Sequence, residues 1–277
     1  LDFGLWTDTV YTLWKILQKS DCMAERHAPK ADILLLIAVL LPPTTLDILG
    51  GVAGERIVET PYGVVGPLAL RTPSAGPAIW VQPYTGLPTR TDPRAIIYAA
   101  HQLGVHYVLN WDTGVAINPV LERGQTVIPV DYIDWTRHQP QTFDDHFTDE
   151  RSFERRLRLP SFCPHMVGAL YQVLPAAPYV VYLGVDGPRR ETPAEARLFR
   201  TWGADVLGQN LVPEVALARS AGLCYAGLVT IGDRSADQAP HHGPGKMRAG
   251  LEQTIQALPT YVNLLGALPT CNCALGE

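Results

Sequence analysis

Basic charge is scarce in this 277-residue chain: 22 Lys and Arg stand against 27 Asp and Glu, leaving a net charge of −5. That balance supplies no general attraction for a polyanion, so neither nucleic acid nor an acidic membrane surface is an expected partner. Long apolar runs are missing too. The longest, Ile33 to Leu41, stops at Pro42-Pro43 and is about half the roughly 20 residues that a membrane-spanning helix needs. It reads as a buried strand. No basic region, apolar region and small-residue cleavage site follow one another as in a secretory signal, so a cytoplasmic location is the expectation. Five cysteines, an odd count in a chain this large, make no disulfide framework. Cys22, Cys163 and Cys224 are expected to stay reduced, and Cys271-Asn272-Cys273 is either a small redox link or an inert pair.

What is present is apolar content, 47% of residues, with 24 Gly and 24 Pro spread along the chain so that no linker divides it. Residues 1–30 form an N-terminal extension, in which Val10, Leu13, Trp14 and Leu17 after Thr7 or Asp8 describe one face of an amphipathic helix. Residues 31–277 read as a single domain. Short β-rich runs fall at 33–41, 68–71, 78–81, 107–110, 126–133, 179–184, 206–208 and 223–231. Helical patterns lie between them at 93–103, 164–174, 192–201, 213–221 and 246–265. This alternation predicts an α/β fold with three layers, αβα, around a mixed central sheet. Thr192-Pro193-Ala194-Glu195 supplies a cap, a first-turn proline and a carboxylate three residues after the cap.

Four stretches carry a resemblance. They are Ile117-Asn118-Pro119 leading through Gly124 to residues 130–136, Val-Asp-Tyr-Ile-Asp-Trp-Thr; residues 187–195, Gly-Pro-Arg-Arg-Glu-Thr-Pro-Ala-Glu; residues 200–206, Arg-Thr-Trp-Gly-Ala-Asp-Val; and Val212-Pro213-Glu214-Val215 running to Ala221-Gly222-Leu223-Cys224-Tyr225-Ala226. In order and spacing the chain resembles the trimeric purine nucleoside phosphorylases, and within them the 5′-methylthioadenosine phosphorylase branch. The resemblance implies a phosphorylase-like fold, a homotrimer and a small-molecule substrate. It also implies a site in which phosphate attacks the anomeric carbon of a purine nucleoside, through a ribosyl cation.

At the positions the resemblance assigns to that site, the residues differ. The Gly-rich phosphate turn after the first strand reads Val39-Leu40-Leu41-Pro42-Pro43, and prolines donate no N–H. The Arg-His-Gly after the next family strand is replaced by Ile79-Trp80-Val81-Gln82-Pro83-Tyr84, and the Thr-rich turn by Asn110-Trp111-Asp112-Thr113-Gly114. Gln209 and Asn210 stand in the ribose segment. Arg190 stands where a Phe stacks on the base, and Asp186 replaces a Glu. Of two acids near the purine, Asp233 matches and Ser235 replaces the second.

Trp80, Tyr84, Trp111 and Asp112 together suggest an aromatic and acidic cavity that favours cations over phosphate. On that expectation Asp112 and Asp233 are catalytic acids, with Thr113, Asp186, Arg190, Gln209 and Asn210 binding substrate. Phosphorolysis would be abandoned for protonation-initiated cyclisation or rearrangement of an apolar substrate, or for phosphate-independent nucleoside hydrolysis. Conventional phosphorolysis and a non-catalytic binding or assembly role remain the alternatives. No cofactor is implied. No metal site is expected either, because His241-His242 has no carboxylate or Cys at ligand spacing.

Overall fold

Five consecutive aliphatic residues, Ile33–Ile37, are all buried and form β1. The computed structural model describes residues 31–82, 92–143, 160–239, 244–267, 271 and 273. The helix expected within 1–30, Tyr84 and His241-His242 lie outside them. β1 runs parallel to both neighbours, β4 (Ile79–Gln82) and β5 (Tyr107–Ala116), a central position that suits an uninterrupted apolar run. The strand expected as far as Leu41 ends at Ile37. Beyond it the Ala38 N–H still donates to the Trp111 carbonyl at 2.8 Å, and a 3-10 helix, Pro43–Leu49, then takes the chain away from the sheet.

Two antiparallel strands, β2 (Gly51–Thr60) and β3 (Gly63–Thr72), extend the sheet beyond β4. On the other side stand β6 (Thr126–Trp135), β7 (Tyr179–Val185), β8 (Val206–Gly208) and β9 (Cys224–Arg234). The order is β2-β3-β4-β1-β5-β8-β7-β6-β9, and an added β5–β9 pairing closes the last five strands into a ring. The ring is narrow. A Cβ on Gly114, Gly184, Gly208 or Gly227 would come within 2.3–2.7 Å of Val206, Val212, Tyr182 or Leu211 respectively, so any side chain at these positions would force a neighbour to shift.

The helices are α1 (Pro93–Gln102), α2 (Pro164–Val173), α3 (Pro193–Thr201), α4 (Glu214–Ser220) and α5 (Pro244–Ala267). The capping box expected at α3 is present: the Thr192 hydroxyl accepts from the Glu195 N–H and the Glu195 carboxylate accepts from the Thr192 N–H. Ala196 and Phe199 of α3 pack on Ile117, Leu183 and Leu207. α2 packs with α5, and α1 with α4. Helices thus cover a mixed sheet, the α/β architecture read from the sequence. Among the described residues no helix is long and apolar enough to cross a membrane.

One buried cation ties the 3-10 helix to the sheet. Arg71 on β3 is 7% exposed and donates through Nη1 to the carbonyls of Leu46 (2.8 Å) and Gly50 (2.7 Å), with Asp47 Oδ1 at 3.3 Å. Arg71→Met keeps the bulk and removes the donors, leaving two carbonyls unpaired at a cost of about 1–3 kcal/mol each if water cannot reach them. Urea unfolding is therefore expected to give a loss of about 2–4 kcal/mol, with Arg71→Lys intermediate. A loss below about 0.5 kcal/mol would show that the guanidinium is not the tie.

Candidate active site

In β5, successive side chains point to opposite faces of the sheet, so Asn110 and Asp112 share one face and Trp111 and Thr113 the other. Asp112 is fully buried. Its Oδ1 accepts from the Thr113 N–H (2.7 Å) and from Asn210 Nδ2 (2.6 Å), and its Oδ2 accepts from the Tyr182 hydroxyl (2.8 Å). Gly208 passes directly over Oδ2 and the phenol. Burial pushes the Asp112 carboxyl pKa up, while the Asn210 and Tyr182 hydrogen bonds pull the other way. Asn110 extends the cluster, donating through Nδ2 to the Asn210 carbonyl and to the Tyr225 hydroxyl. Glu214, at the start of α4, completes it. Its Oε2 is buried without a hydrogen-bond partner, and burial raises its pKa to about 8.

The segment after β7 meets the one after β8. A Cβ on Gly187 would lie 2.2 Å from Gln209 Oε1, so the Gln209 side chain rests on the Gly187 backbone. Asp186 Oδ2 accepts from the Arg137 N–H at 2.8 Å and lies 3.3 Å from His138 Nδ1. Arg190 pairs with Asp233 at the end of β9 (2.8 Å) and donates to the Arg234 carbonyl. A cavity of about 420 Å³ borders this region, lined by Trp135, Arg137, His138, Asp186, Gly187 and Phe199 among others. That volume is in the range of small-molecule sites. Its wall on β8 is Leu207, whereas Asp112 lies against Gly208, whose side faces the other way.

Trp80, Trp111 and Asp112 do not come together as the aromatic and acidic cavity that the sequence suggested. Trp111 is fully buried on the face opposite Asp112, and its Nε1 donates to Thr230 Oγ1 at 3.0 Å. Trp80, in register with Leu34 and Leu70, packs on Ala31, Leu70 and Ala78. It lies two strands and four residues from Asp112, about 10 Å across the sheet and 13 Å along it. Tyr84 is outside the described residues. Thr113 is half-buried, and its N–H is taken by Asp112.

Tyr182, Asn110, Tyr225, Glu214 and Gly208 were not singled out in the sequence. Glu214 and Tyr225 lie in stretches that carry the resemblance, and Asn110 in the segment aligned with the Thr-rich turn, but none of the three was read as a site residue. Two other family stretches act as ties. Arg200 holds Asp237 in a two-pronged pair (2.8 and 3.1 Å), which lowers the Asp237 pKa to about 2, and Asp205 accepts from Asn118 Nδ2 and the Val181 N–H. Ser235, where the second acid was looked for, is buried and donates to Asp237.

Residues 49–260 match the family model of the phosphorylase superfamily, and the chain belongs to that superfamily. Among curated relatives, it is 38% identical to a protein of Methanopyrus kandleri described as a probable S-methyl-5′-thioinosine phosphorylase, over 51% of this chain and 56% of that one. It is 32% identical to the S-methyl-5′-thioadenosine phosphorylase of Anopheles gambiae, over 65% of this chain and 68% of that one. The chain spans about half the length of several curated relatives it matches. A methylthioadenosine phosphorylase from an antarctic soil metagenomic library shares the fold, with a TM-score of 0.74 at 20% identity over 90% of this chain and 91% of that one.

These relatives overturn the expectation of a cyclase, isomerase or phosphate-independent hydrolase: the proteins the chain resembles carry the names of phosphorylases. The geometry removes the physical ground for that expectation. It rested on an open acidic cavity walled by indoles, and Asp112 is enclosed by donors while Trp111 points away from it.

Proposed function

We propose that the chain is a purine nucleoside phosphorylase of the 5′-methylthioadenosine class. Phosphate attacks the anomeric carbon, the bond to the purine nitrogen breaks, and the base leaves carrying its bonding electrons and a proton. One observation carries the reading: the segments that the family resemblance assigns to phosphate, ribose and base converge. Asn210 of the ribose segment is hydrogen-bonded to Asp112 of the phosphate segment, Gln209 lies on Gly187, and Arg190 from the base segment pairs with Asp233. The names of the relatives support the same chemistry.

In this reading Asp233, at the exposed end of β9, faces the purine and Arg190 orients it. Asn210 and Gln209 border the sugar, and the buried Asp112–Tyr182 pair fixes Asn210 from below. The homotrimer implied by the resemblance belongs to the same proposal, and light scattering on the purified chain measures it. The deciding assay is base release from methylthioadenosine and methylthioinosine with and without inorganic phosphate. Release is expected only with phosphate, together with a pentose 1-phosphate product. Asp233→Asn is expected to slow it about 10²–10⁴-fold. Equal release without phosphate, or no release from any purine nucleoside, would overturn the assignment.

A further inference from the structure

Away from the converging segments, four cysteines from three remote parts of the chain meet. Cys163 precedes α2, Cys224 begins β9, and Cys271 and Cys273 lie beyond α5; their sulfurs all fall within 4.8 Å of one another. Two of the separations are 3.7 Å (Cys163–Cys271) and 3.6 Å (Cys224–Cys273). Zinc held by four thiolates has Zn–S bonds of about 2.3 Å, so the sulfurs of a regular tetrahedron stand about 3.8 Å apart. A disulfide would require about 2.05 Å. The observed edges match a shared ion, and all four cysteines are unbridged.

The surroundings suit a closed structural site. Cys163, Cys224 and Cys271 are buried and Cys273 half-buried, so little room is left for the open coordination position of a catalytic zinc. Backbone bonds fix the ligand-bearing segments: the Cys163 N–H donates to the Tyr225 carbonyl, and the Cys224 N–H to the His106 carbonyl. His106 Nε2 lies 2.7 Å from the Cys271 carbonyl and 3.8 Å from Cys224 Sγ. It therefore carries its proton on Nε2 and stands beside the cluster as a supporting donor, the role that outer partners play around metal ligands. The Cys271 N–H is held by the Tyr107 hydroxyl.

We propose that Cys163, Cys224, Cys271 and Cys273 form a tetrathiolate zinc site that staples Cys271 and Cys273 to β9 and the start of α2. The sequence spacing hides it, because only Cys271 and Cys273 are neighbours and the ligand set spans more than a hundred residues.

The test uses the full chain purified under reductant from zinc-supplemented cells. Metal analysis is expected to give about one zinc per chain, and cobalt exchange the thiolate-to-metal absorption of a tetrahedral four-sulfur site. Cys273→Ser changes a half-buried residue and should leave the fold intact by circular dichroism while weakening zinc retention more than about tenfold. Cys224→Ser should do the same if the chain folds. A zinc-free protein whose intact mass, without reductant, is lower by the hydrogens lost to disulfides would overturn the site in favour of two bridges. So would a folded, fully reduced protein that takes up neither zinc nor cobalt, or a Cys273→Ser variant that keeps its zinc.

Discussion

Replacing Glu214 with glutamine is expected to stabilise the chain at alkaline pH and to leave it nearly unchanged at pH 4. Burial lifts the Glu214 carboxyl to about 8 from an ordinary value of 4.5, with the Asp112 charge adding to the rise. A folded-state pKa above the unfolded one means that the fold holds the proton more tightly. Stability is therefore highest below the unfolded pKa and falls as pH climbs from about 4.5 to about 8. A shift of that size corresponds to about 4–5 kcal/mol. Glutamine carries no charge to desolvate and escapes this loss, though its extra amide donors cost about 1 kcal/mol at every pH if one stays unpaired.

Urea unfolding of both proteins at pH 4, 6 and 9 should thus give a difference that grows with pH to about 3–4 kcal/mol in favour of Glu214→Gln. Asp112 is also raised by burial and has the same sign, so some fall with pH should persist in the variant. Parallel stability curves would mean that Glu214 ionises in the fold without penalty and that its buried Oε2 has a partner in water. A functional consequence follows from position. In the proposed phosphorolysis, the Glu214 charge is felt at Asp112 and Tyr225, so its appearance near pH 8 is expected to raise the KM for phosphate, measured across pH.

The sequence made most of the fold readable because its elements are separated by Gly and Pro and carry one period each. Among the described residues, the five helices fall where the patterns indicated, and the capping box at Thr192 has the expected bonds. β2 was missed for a physical reason. Gly51–Thr60 is exposed at nearly every residue, so neither face carries an apolar alternation, and its pairing with β3 is what makes it a strand.

The site was less legible. The residues around Asp112 come from 70 and 98 positions away, and nothing local to Asn110-Trp111-Asp112 reveals a buried carboxyl held by Tyr182 and Asn210. The strand expected over 107–110 runs on to Ala116, so Trp111 and Asp112, read as part of a turn, alternate across the sheet instead, and no single cavity can use both. The cysteine cluster lay beyond any spacing rule, since its members come from three segments that are remote in sequence and meet only in the folded chain.

Gly208 is the position where the ring and the candidate site depend on the same missing atom. A Cβ there would stand 2.3 Å from the Tyr182 hydroxyl and 2.6 Å from Asp112 Oδ2, and both groups are fully buried with no room to retreat. Gly208→Ala must therefore spread β8 from β7 or break the Tyr182–Asp112 hydrogen bond. Overpacking costs about 1–3 kcal/mol, and a buried carboxyl deprived of its donor about 1–3 more. The expected loss in urea unfolding is about 2–6 kcal/mol. By contrast, Gly54→Ala in β2 meets open space and should stay within about 0.5 kcal/mol.

A double variant separates the two causes. Tyr182→Phe removes the nearest oxygen at the price of the hydrogen bond, so Gly208→Ala should cost at least 1 kcal/mol less in that background than alone. Because Gln209 and Asn210 follow directly, Gly208→Ala is also expected to move Asn210 off Asp112 and to lower turnover in the phosphate-dependent assay more than its stability loss explains at temperatures where the variant is folded. A Gly208→Ala protein as stable and as active as the parent would mean that β8 does not pass over the Asp112–Tyr182 pair as closely as described, and the buried cluster would lose its role in setting Asn210.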